Sequence, residues 1–549
     1  MLFSEKFASV FSNIDATHEE IGLAASNGPL SGQSLGLIDV NATMITRASS
    51  ELKSSFKPGP DGFPSVLLKR HIADLMEPLI HIFQASVYSG VFPSCWKPAH
   101  MFPVYKKGNR RDVNNYRGIT SLCAISKLFE LVILEPLQTH CKQHLDDDQH
   151  GFIRGRSTAT NLLCLTSYIT ESMEHRAQTD VIYTDLSAAF DKVNHGITLA
   201  KLNRLGISGS LLRWFRSYIT GRELSVVIGD SQAPMFISTS GIPQGSHLGP
   251  LIFLIYFNDV HLVLKTPRLS YADDLKLYLQ IRSIEDCIFL QQQLEAFADW
   301  CSVNNMVVNP SKCSVISFSR KKDLIIFNYR LLGTEIERVN QVKDLGVILD
   351  SKLTYKQHIS YIVDKASRTM GSIFRIAKNF TDVYCLKSLY CSLSRSILEY
   401  CSEVWSPNYN NGVTRIEAVQ RRFLRFALRR LPWRDPLRLP RYENRCRLIR
   451  LDPLYLRRNT ARALFVADCL QCRLDCPRII ERINLNVLPR TLRSNQMLRL
   501  PQHRTNYGMH GAFSGLQRNF NRVASVFDFN IPRQTLRQRF SSMFSISAD

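Results

Sequence analysis

Residues 268–279, RLSYADDLKLYL, decide the fold at the centre of the chain because they predict a tight β-hairpin. Apolar side chains alternate on both sides of the acidic pair Asp273–Asp274, which is the period of a half-buried strand. A second strand-like run, VIYT at 181–184, ends on Asp185 and precedes the helix-like LSAAFDKV. Short strands interleaved with helical segments predict an α+β fold, with an antiparallel sheet covered by helices on one face.

These acidic residues suit nucleotidyl transfer with two divalent cations. Such chemistry needs two metal ions about 3.5–4 Å apart, one activating a 3′-hydroxyl and one stabilising the leaving pyrophosphate. Carboxylates from neighbouring strands could hold them, and oxygen ligands favour Mg²⁺, with Mn²⁺ as the alternative. An acidic pair in a turn is by itself more often a solvated cap. The assignment therefore depends on the surrounding sequence.

The surrounding segments resemble, in order, those of reverse transcriptases from non-LTR retrotransposons of the LINE type, jockey-like branch. The aromatic-x-Asp-Asp tetrapeptide of that family is matched by residues 271–274. The other similar stretches are KPGPDGFP (57–64), YKKGNRRDVNNYRGITSL (105–122), DDQHGFIRGRSTATNLL (147–163), TDLSAAFDKVNH (184–195), SGIPQGSHLGPLIFLIYFND (240–259), NPSKCSVISFSR (309–320), VKDLGVILDSKLTY (342–355) and SILEYCSEVWSP (396–407).

The resemblance implies a role for each candidate site residue. Asp185 and Asp273 would be the main metal ligands, and Asp274 would complete the acidic cluster. The remaining roles are Phe190 as the aromatic that blocks a ribose 2′-hydroxyl, Pro243, Gln244 and Gly245 at the template and incoming nucleotide, Arg117, Lys106 and Lys107 at the triphosphate, Lys312 as the proton donor to pyrophosphate, and Tyr271, Arg154 and Arg156 at the template or primer. Plainer interpretations stay open, namely core packing for Phe190, a simple turn at 243–245 and surface charge for the lysines.

The same resemblance implies a right-hand polymerase. Residues 1–55 would form an N-terminal segment without catalytic residues, and residues 56–353 the fingers and the palm. A helical, thumb-like region would cover 354–431, and an Arg-rich, mainly helical region 432–549. Residues 1–55 are too few for an endonuclease, so the chain is expected to be the polymerase-containing part of a longer product or a truncated copy.

Charge is concentrated at the C-terminal end. The chain has 549 residues and a net charge of +22, and residues 411–549 contain 27 arginines, no lysine and nine acidic residues, an excess of 18 positive charges. Guanidinium groups bind phosphates bidentately and stack on bases, so this bias predicts nucleic-acid contact. The alternative is that the arginines pair with acidic residues elsewhere in the fold.

Cys469, Cys472 and Cys476 have a spacing that is compatible with one helix face. Some non-LTR elements carry a C-terminal zinc knuckle, but the nearest histidine, His503, is outside knuckle spacing. We therefore predict packed thiols on one apolar helix face. The fourteen cysteines are expected to be reduced, because neither a signal peptide nor a transmembrane segment is predicted.

The function predicted from the sequence is RNA-directed DNA polymerisation. The expected partners are an RNA template, a DNA primer or target and deoxynucleoside triphosphates, with no membrane. The family implies a nuclear site of action and cytoplasmic assembly of a ribonucleoprotein. Two alternatives stay open, an RNA-dependent RNA polymerase and a decayed or domesticated element protein that binds RNA without polymerising. Phe190 argues against the first and the intact acidic residues argue against the second.

Overall fold

A computed structural model describes residues 2–11, 17, 21–22, 32–430, 440–486 and 496–546. The predicted boundary between 431 and 432 lies outside these residues. The chain has a mixed α/β fold with two five-stranded sheets and two short hairpins. The strands are β1 Ala99–Tyr105, β2 Tyr116–Ser121, β3 Gln178–Thr184, β4 Arg222–Ile228, β5 Ser231–Gln232, β6 Phe236–Ser238, β7 Arg268–Tyr271, β8 Asp274–Ile281, β9 Ser314–Phe318, β10 Arg330–Leu331, β11 Thr334–Glu335, β12 Glu337–Arg338, β13 Gln341–Asp344 and β14 Val347–Asp350.

Helices fill most of the remaining described chain, and among the described residues after Asp350 every regular element is a helix. In chain order they are α1 Leu2–Ala8, α2 Ala42–Glu51, α3 Ser65–Arg70, α4 Met76–Ser89, α5 Ala124–Cys141, α6 Thr158–Glu174, α7 Ala189–Lys192, α8 His195–Arg204, α9 Gly209–Ile219, α10 Gly249–Asn258, α11 Val260–Val263, α12 Ile284–Val303, α13 Lys356–Ile376, α14 Val383–Leu389, α15 Ser396–Glu399, α16 Ser402–Trp405, α17 Asn410–Leu428, α18 Tyr442–Ile449, α19 Leu454–Leu470, α20 Pro477–Ile480, α21 Asn506–Met509, α22 Ala512–Asn521 and α23 Arg533–Ile546.

The central sheet contains the hairpin predicted from 268–279. Its strand order is β12-β9-β3-β8-β7, and the pairs β9–β3, β3–β8 and β8–β7 are antiparallel, whereas the short β12 runs parallel to β9. The predicted strand at 181–184 is the second half of β3. The predicted hairpin and the predicted strand at 181–184 are therefore both confirmed. Successive side chains of a strand point to opposite faces of the sheet, so the alternation in the sequence matches this structure.

Helices cover both faces of the central sheet, not one face as predicted. On β3, Ile182 joins a hydrophobic cluster with α10 and α12, while its neighbour Val181 joins a second cluster with α6 and the C-terminal helices. Leu277 and Tyr278 divide in the same way on β8. The strands appeared amphipathic in the sequence because buried Lys276 and Asp180 interrupt their apolar runs.

The C-terminal helices are part of the main fold. Buried residues of α17, α19, α22 and α23 share one hydrophobic cluster with α6 and with β3 of the central sheet. Removal of residues 411–549 would therefore expose buried residues of this shared cluster, including those of α6, to water. Within the described residues, no helix combines the length and the apolar character needed to cross a bilayer.

The second sheet carries a basic hairpin. Its order is β2-β1-β4-β5, with β6 also paired to β4, and β1 runs antiparallel to β2 but parallel to β4. Side chains of β1 and β4 pack with Phe7 of α1 in a small cluster of their own. The connection between β1 and β2, residues 106–115, contains the lysines predicted to contact a triphosphate.

Candidate active site

The three predicted acidic residues lie together at one end of the central sheet. Thr184, the last residue of β3, pairs with Leu275 of β8, so Asp185 emerges beside Asp274. Asp273 precedes it in the turn that joins β7 to β8, and Tyr271, at the end of β7, pairs with Asp274 across that turn. Strand pairing therefore brings carboxylates that are distant in sequence to one place.

The carboxylates in the turn are disfavoured in their charged form. Burial raises the pKa of Asp273; Arg117 and Lys106 oppose this increase, whereas Asp185 adds to it. Burial, followed by the charge of Asp273, raises the pKa of Asp274 to about 6. Crowded carboxylates with raised pKa values are typical of sites that bind a positive ligand.

An ammonium group supplies positive charge to Asp185. Nζ of Lys312 donates to Asp185 Oδ2 at 2.9 Å, and both side chains are partly exposed. Lys312 ends the short 3₁₀ turn Pro310–Lys312, and the preceding Asn309 donates its backbone N–H to the carbonyl oxygen of Asp185 at 3.0 Å. The position of Lys312 is thus coupled to that of a predicted metal ligand.

Gln149 holds the acidic turn, and the sequence analysis did not predict it. Its Oε1 accepts from the backbone N–H groups of Ala272 at 2.9 Å and Gly151 at 2.7 Å, and its Nε2 donates to the carbonyl oxygen of Ala272 at 3.1 Å. Ala272 has φ of 57°, a left-handed conformation that costs a non-glycine residue roughly 1–2 kcal/mol. The sequence signal that could have indicated Gln149 was the polar pair Gln149–His150 directly before Gly151, in a segment that resembles the family.

Two glycines allow the backbone to approach closely around the turn. A Cβ on Gly151 would lie 2.2 Å from the backbone nitrogen of Ala272. A Cβ on Gly245 would lie 2.2 Å from the carbonyl oxygen of Thr120 on β2, and Gly245 also has φ of 138°. The close backbone approach at Gly245 is therefore to strand β2 of the chain itself, and its contact with template or incoming nucleotide stays a prediction.

The segment 243–245 connects strand β2 of the second sheet with helix α7, which follows strand β3 of the central sheet. The backbone N–H of Thr120 donates to the carbonyl oxygen of Gln244 at 2.8 Å, which fastens the segment to β2. Nε2 of Gln244 donates to Asp191 Oδ1, also at 2.8 Å, and Asp191 belongs to α7, the first helix after strand β3. Pro243 is partly buried beside them.

Phe190 is held in a fixed orientation on α7. Its ring stacks on Phe253 of α10 with 4.7 Å between ring centroids, and Phe152 meets it edge-on at 6.0 Å. Its backbone carbonyl oxygen accepts from Ile242, next to the segment 243–245. The ring is only partly buried, so it both packs and presents a surface.

Besides Lys312, five basic residues were predicted around the site, and they separate into two groups. Lys106, Lys107, Arg117 and Arg154 are exposed, and the first and third of these act electrostatically on Asp273. Arg156 is different, because its guanidinium donates to the carbonyl oxygens of residues 146, 147, 149 and 475 and to the Asp147 carboxylate. This corrects the predicted template contact of Arg156, which is occupied in holding the chain together.

The prediction for the three C-terminal cysteines is also corrected. Helix α19 ends at Leu470, so only Cys469 is helical and buried on it. Cys472 is exposed in a turn with φ of 55°, and Cys476 precedes α20 with its sulfur buried against Cys164 of α6. The three thiols do not share a helix face because the chain reverses direction between them.

The raised pKa of Asp274 predicts how stability should depend on pH. In the folded state Asp274 holds its proton up to about pH 6, whereas its ordinary pKa is 3.8. The unfolded chain therefore releases this proton first, and the free energy of unfolding should fall as pH rises between these values. Asp274→Asn should raise the melting temperature by roughly 2 °C above about pH 7 and not at about pH 4.

Differential scanning fluorimetry of both proteins without divalent cations measures this effect. The exposed carboxylate of Asp323 offers a control, since Asp323→Asn should leave the melting temperature unchanged at both pH values. An equal stabilisation by Asp274→Asn at the two pH values would contradict the assigned electrostatic cause.

Comparison with known proteins identifies the part of the chain that contains this site. Residues 104–349 match the model of the family described as reverse transcriptase (RNA-dependent DNA polymerase). The match includes Asp185, the hairpin with Asp273 and Asp274, and Lys312. Residues 104–349 are thus similar to a reverse transcriptase domain. The resemblance found in the sequence is thereby confirmed.

Similar curated proteins come from transposons and mobile elements. The chain is 26% identical over 407 residues to a probable RNA-directed DNA polymerase from transposon BS of Drosophila melanogaster, covering 71% of this chain and 45% of that protein. It is 27% identical over 418 residues to the RNA-directed DNA polymerase from mobile element jockey of the same species, with 73% and 45% covered. A probable RNA-directed DNA polymerase from its transposon X-element is 25% identical over 379 residues, with 67% and 42% covered. The chain thus spans less than half the length of these relatives.

Proposed function

We propose that this chain is an RNA-directed DNA polymerase from a LINE-type, jockey-like retrotransposon. It would add deoxynucleoside triphosphates to the 3′-end of a DNA primer on an RNA template. The observation that carries this proposal is the meeting of Asp185, Asp273 and Asp274 at the end of paired strands β3 and β8, inside a reverse transcriptase domain. The nucleus as site of action and the cytoplasm as site of assembly belong to the same proposal.

The proposed architecture is a right hand. The central sheet would be the palm, and with the fingers it would occupy residues 56–353. The helices from 354 to 431 would form the thumb, followed by the Arg-rich region 432–549. The basic β1–β2 hairpin supports this arrangement, because its residues Arg117 and Lys106 are near enough to lower the pKa of Asp273 electrostatically.

The acidic residues fit divalent cations such as Mg²⁺ or Mn²⁺. The donors are all carboxylate oxygens, which hard cations prefer. The pKa values of Asp273 and Asp274 are raised, and a lysine ammonium already contacts Asp185. Asp185 and Asp273 would be the main ligands, with Asp274 completing the charge. When bound, two such cations would activate the primer 3′-hydroxyl and stabilise the leaving pyrophosphate.

The chain's own residues would position the substrate and move one proton. Arg117 and Lys106 would bind the triphosphate as counter-charges, and Gln244, oriented by Asp191, would support the incoming nucleotide. Lys312 would release Asp185 Oδ2 and donate a proton from Nζ to the leaving pyrophosphate. Arg154 and Tyr271 would contact the template or primer.

Primer extension by the full chain tests the proposal. An RNA template with an annealed DNA primer is incubated with Mg²⁺ and either deoxynucleotides or ribonucleotides. We expect extension with deoxynucleotides only. Extension with ribonucleotides alone would indicate an RNA polymerase, and RNA binding without any extension would indicate an element protein that has lost the activity.

Phe190 should determine the choice of sugar. Its ring is fixed between Phe253 and Phe152, so it cannot turn aside for a 2′-hydroxyl. Phe190→Ala or Phe190→Val should lower the preference for deoxynucleotides over ribonucleotides by roughly tenfold or more, since the discrimination is steric. The measurement is the ratio of incorporation efficiencies for the two substrates.

The matched control is Phe190→Tyr, which keeps the ring and should keep the ratio. If Phe190→Ala folds and extends the primer with the wild-type ratio, then Phe190 is only a packing residue. Circular dichroism of each variant separates this outcome from misfolding.

A further inference from the structure

A buried group of potential metal ligands lies behind the active-site turn. It consists of His150, Cys164 and Cys476, which come from the segment before α6, from α6 itself and from the start of α20. One ligand atom from each lies within 4.8 Å of the others, and the two sulfur atoms are 3.7 Å apart. His150 is 1% exposed and Cys476 is also 1% exposed. An imidazole and a thiol from neighbouring segments have therefore been brought together in the interior with a thiol that is 312 residues away in sequence from Cys164.

The hydrogen bonds of His150 determine which nitrogen carries its proton. The single hydroxyl proton of Thr160 is donated to the carbonyl oxygen of Ser157 at 2.8 Å. With that proton directed to Ser157, Nδ1 of His150, 2.8 Å from the same hydroxyl oxygen, takes the donor role in the contact. Nε2 then carries a lone pair, and it is buried with no hydrogen-bond partner among the described residues. An unpaired buried nitrogen is costly unless something binds it.

We propose that His150, Cys164 and Cys476 bind a zinc ion through Nε2 and the two sulfur atoms. Zinc prefers tetrahedral sets of cysteine and histidine ligands, and zinc–sulfur bonds of about 2.3 Å place two ligand sulfurs about 3.8 Å apart. The observed 3.7 Å matches that edge. The Nδ1–H bond to Thr160 is the kind of outer contact that orients a metal-bound histidine.

The fourth ligand and the charge balance depend on the surroundings. The fourth position would be taken by water, because among the described residues no fourth His, Cys, Asp or Glu ligand atom lies within 4.8 Å of the other three. The nearby guanidinium of Arg478 is already engaged by Asp148 Oδ2 at 2.5 Å and by the hydroxyl of Tyr278 at 3.0 Å. A zinc ion with two thiolates is neutral, so it adds no net charge to this interior.

The zinc ion would link the C-terminal region to the segment around Gln149, which holds the acidic turn between β7 and β8. His150 directly follows Gln149, whose amide holds Ala272, and Cys476 directly follows Asp475. The backbone N–H of Asp475 already donates to the carbonyl oxygen of Gly155 at 3.1 Å. The site is distinct from the proposed Mg²⁺ site and from a zinc knuckle, which would use the exposed Cys472.

Metal analysis of the purified full chain tests this site. After growth with zinc and dialysis against a weak chelator, we expect about one zinc ion per chain by mass spectrometry. Cys164→Ala, Cys476→Ala and His150→Gln should each lower this to below about a tenth. Cys472→Ala and Cys446→Ala, which remove an exposed and a buried thiol elsewhere, should retain it, and so should Asp273→Asn.

A second measurement does not depend on the folding of any variant. Cobalt(II) added to the metal-free wild-type chain should produce the visible bands of a tetrahedral thiolate site. Zinc content lost with Cys472→Ala but retained with Cys164→Ala would show a knuckle and overturn the proposal. The absence of both bound zinc and cobalt bands would also overturn the proposal. So would thiol labelling of Cys164 and Cys476 that succeeds only after reduction, because that result indicates a disulfide between them. None of these readouts uses polymerase activity.

Discussion

Asp185→Asn and Asp273→Asn are each expected to lower primer extension by at least about 100-fold. Loss of an outer partner of a metal ligand already costs about 10–100-fold, and these residues are the proposed ligands themselves. An amide is nearly isosteric with a carboxylate, but it is a poor ligand for a hard cation. Removing either carboxylate also leaves Arg117, Lys106 or Lys312 without part of its counter-charge.

The rate of single-nucleotide addition at saturating primer–template measures this effect. RNA affinity, determined separately, should change little, which distinguishes loss of chemistry from loss of substrate binding. Asp323→Asn again provides the control, since it removes an exposed carboxylate away from the strand ends. If both active-site variants retain more than a few per cent of the activity, the assignment of the metal ligands is wrong.

The second large effect concerns an arginine stripe on helix α17. The stripe consists of Arg415, Arg422, Arg425 and Arg429, which are exposed and spaced by seven, three and four residues, so they lie along one side of the helix. None of them forms an ion pair with an acidic side chain within the described ranges. The opposite side of α17, including Ile416, is buried in the core.

Other C-terminal arginines are already engaged. Those in ion pairs are Arg457 with Glu399, Arg458 with Glu417, Arg478 with Asp148, Arg482 with Glu171, and Arg473 and Arg533 with Asp468. The alternative of internal pairing therefore holds for these residues. Exposed guanidinium groups without acidic partners remain available for phosphates, which makes the stripe the better candidate for nucleic-acid contact.

The variant with Arg422→Gln, Arg425→Gln and Arg429→Gln should bind primed template more weakly and with less salt dependence. Each lost phosphate contact should lower the slope of log K against log salt by about 0.7–0.9, so three should lower it by about 2–3 and the affinity by roughly 10–100-fold. Fluorescence anisotropy over a series of salt concentrations measures both quantities. Extension on long templates should fall more than single-nucleotide addition, because the stripe acts as a tether.

The matched control removes the same charge elsewhere. Lys321, Lys322 and Arg330 are exposed, and the control variant changes all three to Gln. Its slope of log K against log salt should differ from that of the wild type by no more than the value of about one phosphate contact. Equal slopes for the stripe variant and the wild-type chain would mean that the stripe is only a solvent-exposed helix surface and does not contact phosphates. Substitutions are required here because deletion of residues 411–549 would open the hydrophobic core shared with α6.

Local patterns were sufficient for the acidic residues and their strands. The alternation in 268–279 predicted the hairpin, VIYT predicted the end of β3, and Asp185, Asp273 and Asp274 do lie together. These features are readable because strand period and turn chemistry act over a few residues. The implied roles of Phe190, Gln244 and Gly245 are proposals built on positions that the same motifs supplied.

Arg156 and the cysteines show where such reasoning failed. Arg156 stands in a segment with family resemblance, but its guanidinium is consumed by carbonyl oxygens and a carboxylate, one of them 319 residues away in sequence. Cys476 belongs with Cys164 and His150, and not with Cys469 and Cys472. No sequence spacing predicts the contact of Arg156 with residue 475 or that of Cys476 with Cys164, because both contacts join segments that are distant in sequence and meet only in the folded chain.

The sequence by itself determined the domain type, the acidic residues and the positive charge of the C-terminal end. Its information is local, since residue order, periodicity and composition all act along the chain. Only the tertiary structure decided that helices cover both faces of the central sheet, that Gln149 holds the left-handed Ala272, and which arginines remain free of acidic partners. These outcomes depend on which distant segments pack together, because burial and hydrogen-bond satisfaction belong to the folded chain as a whole.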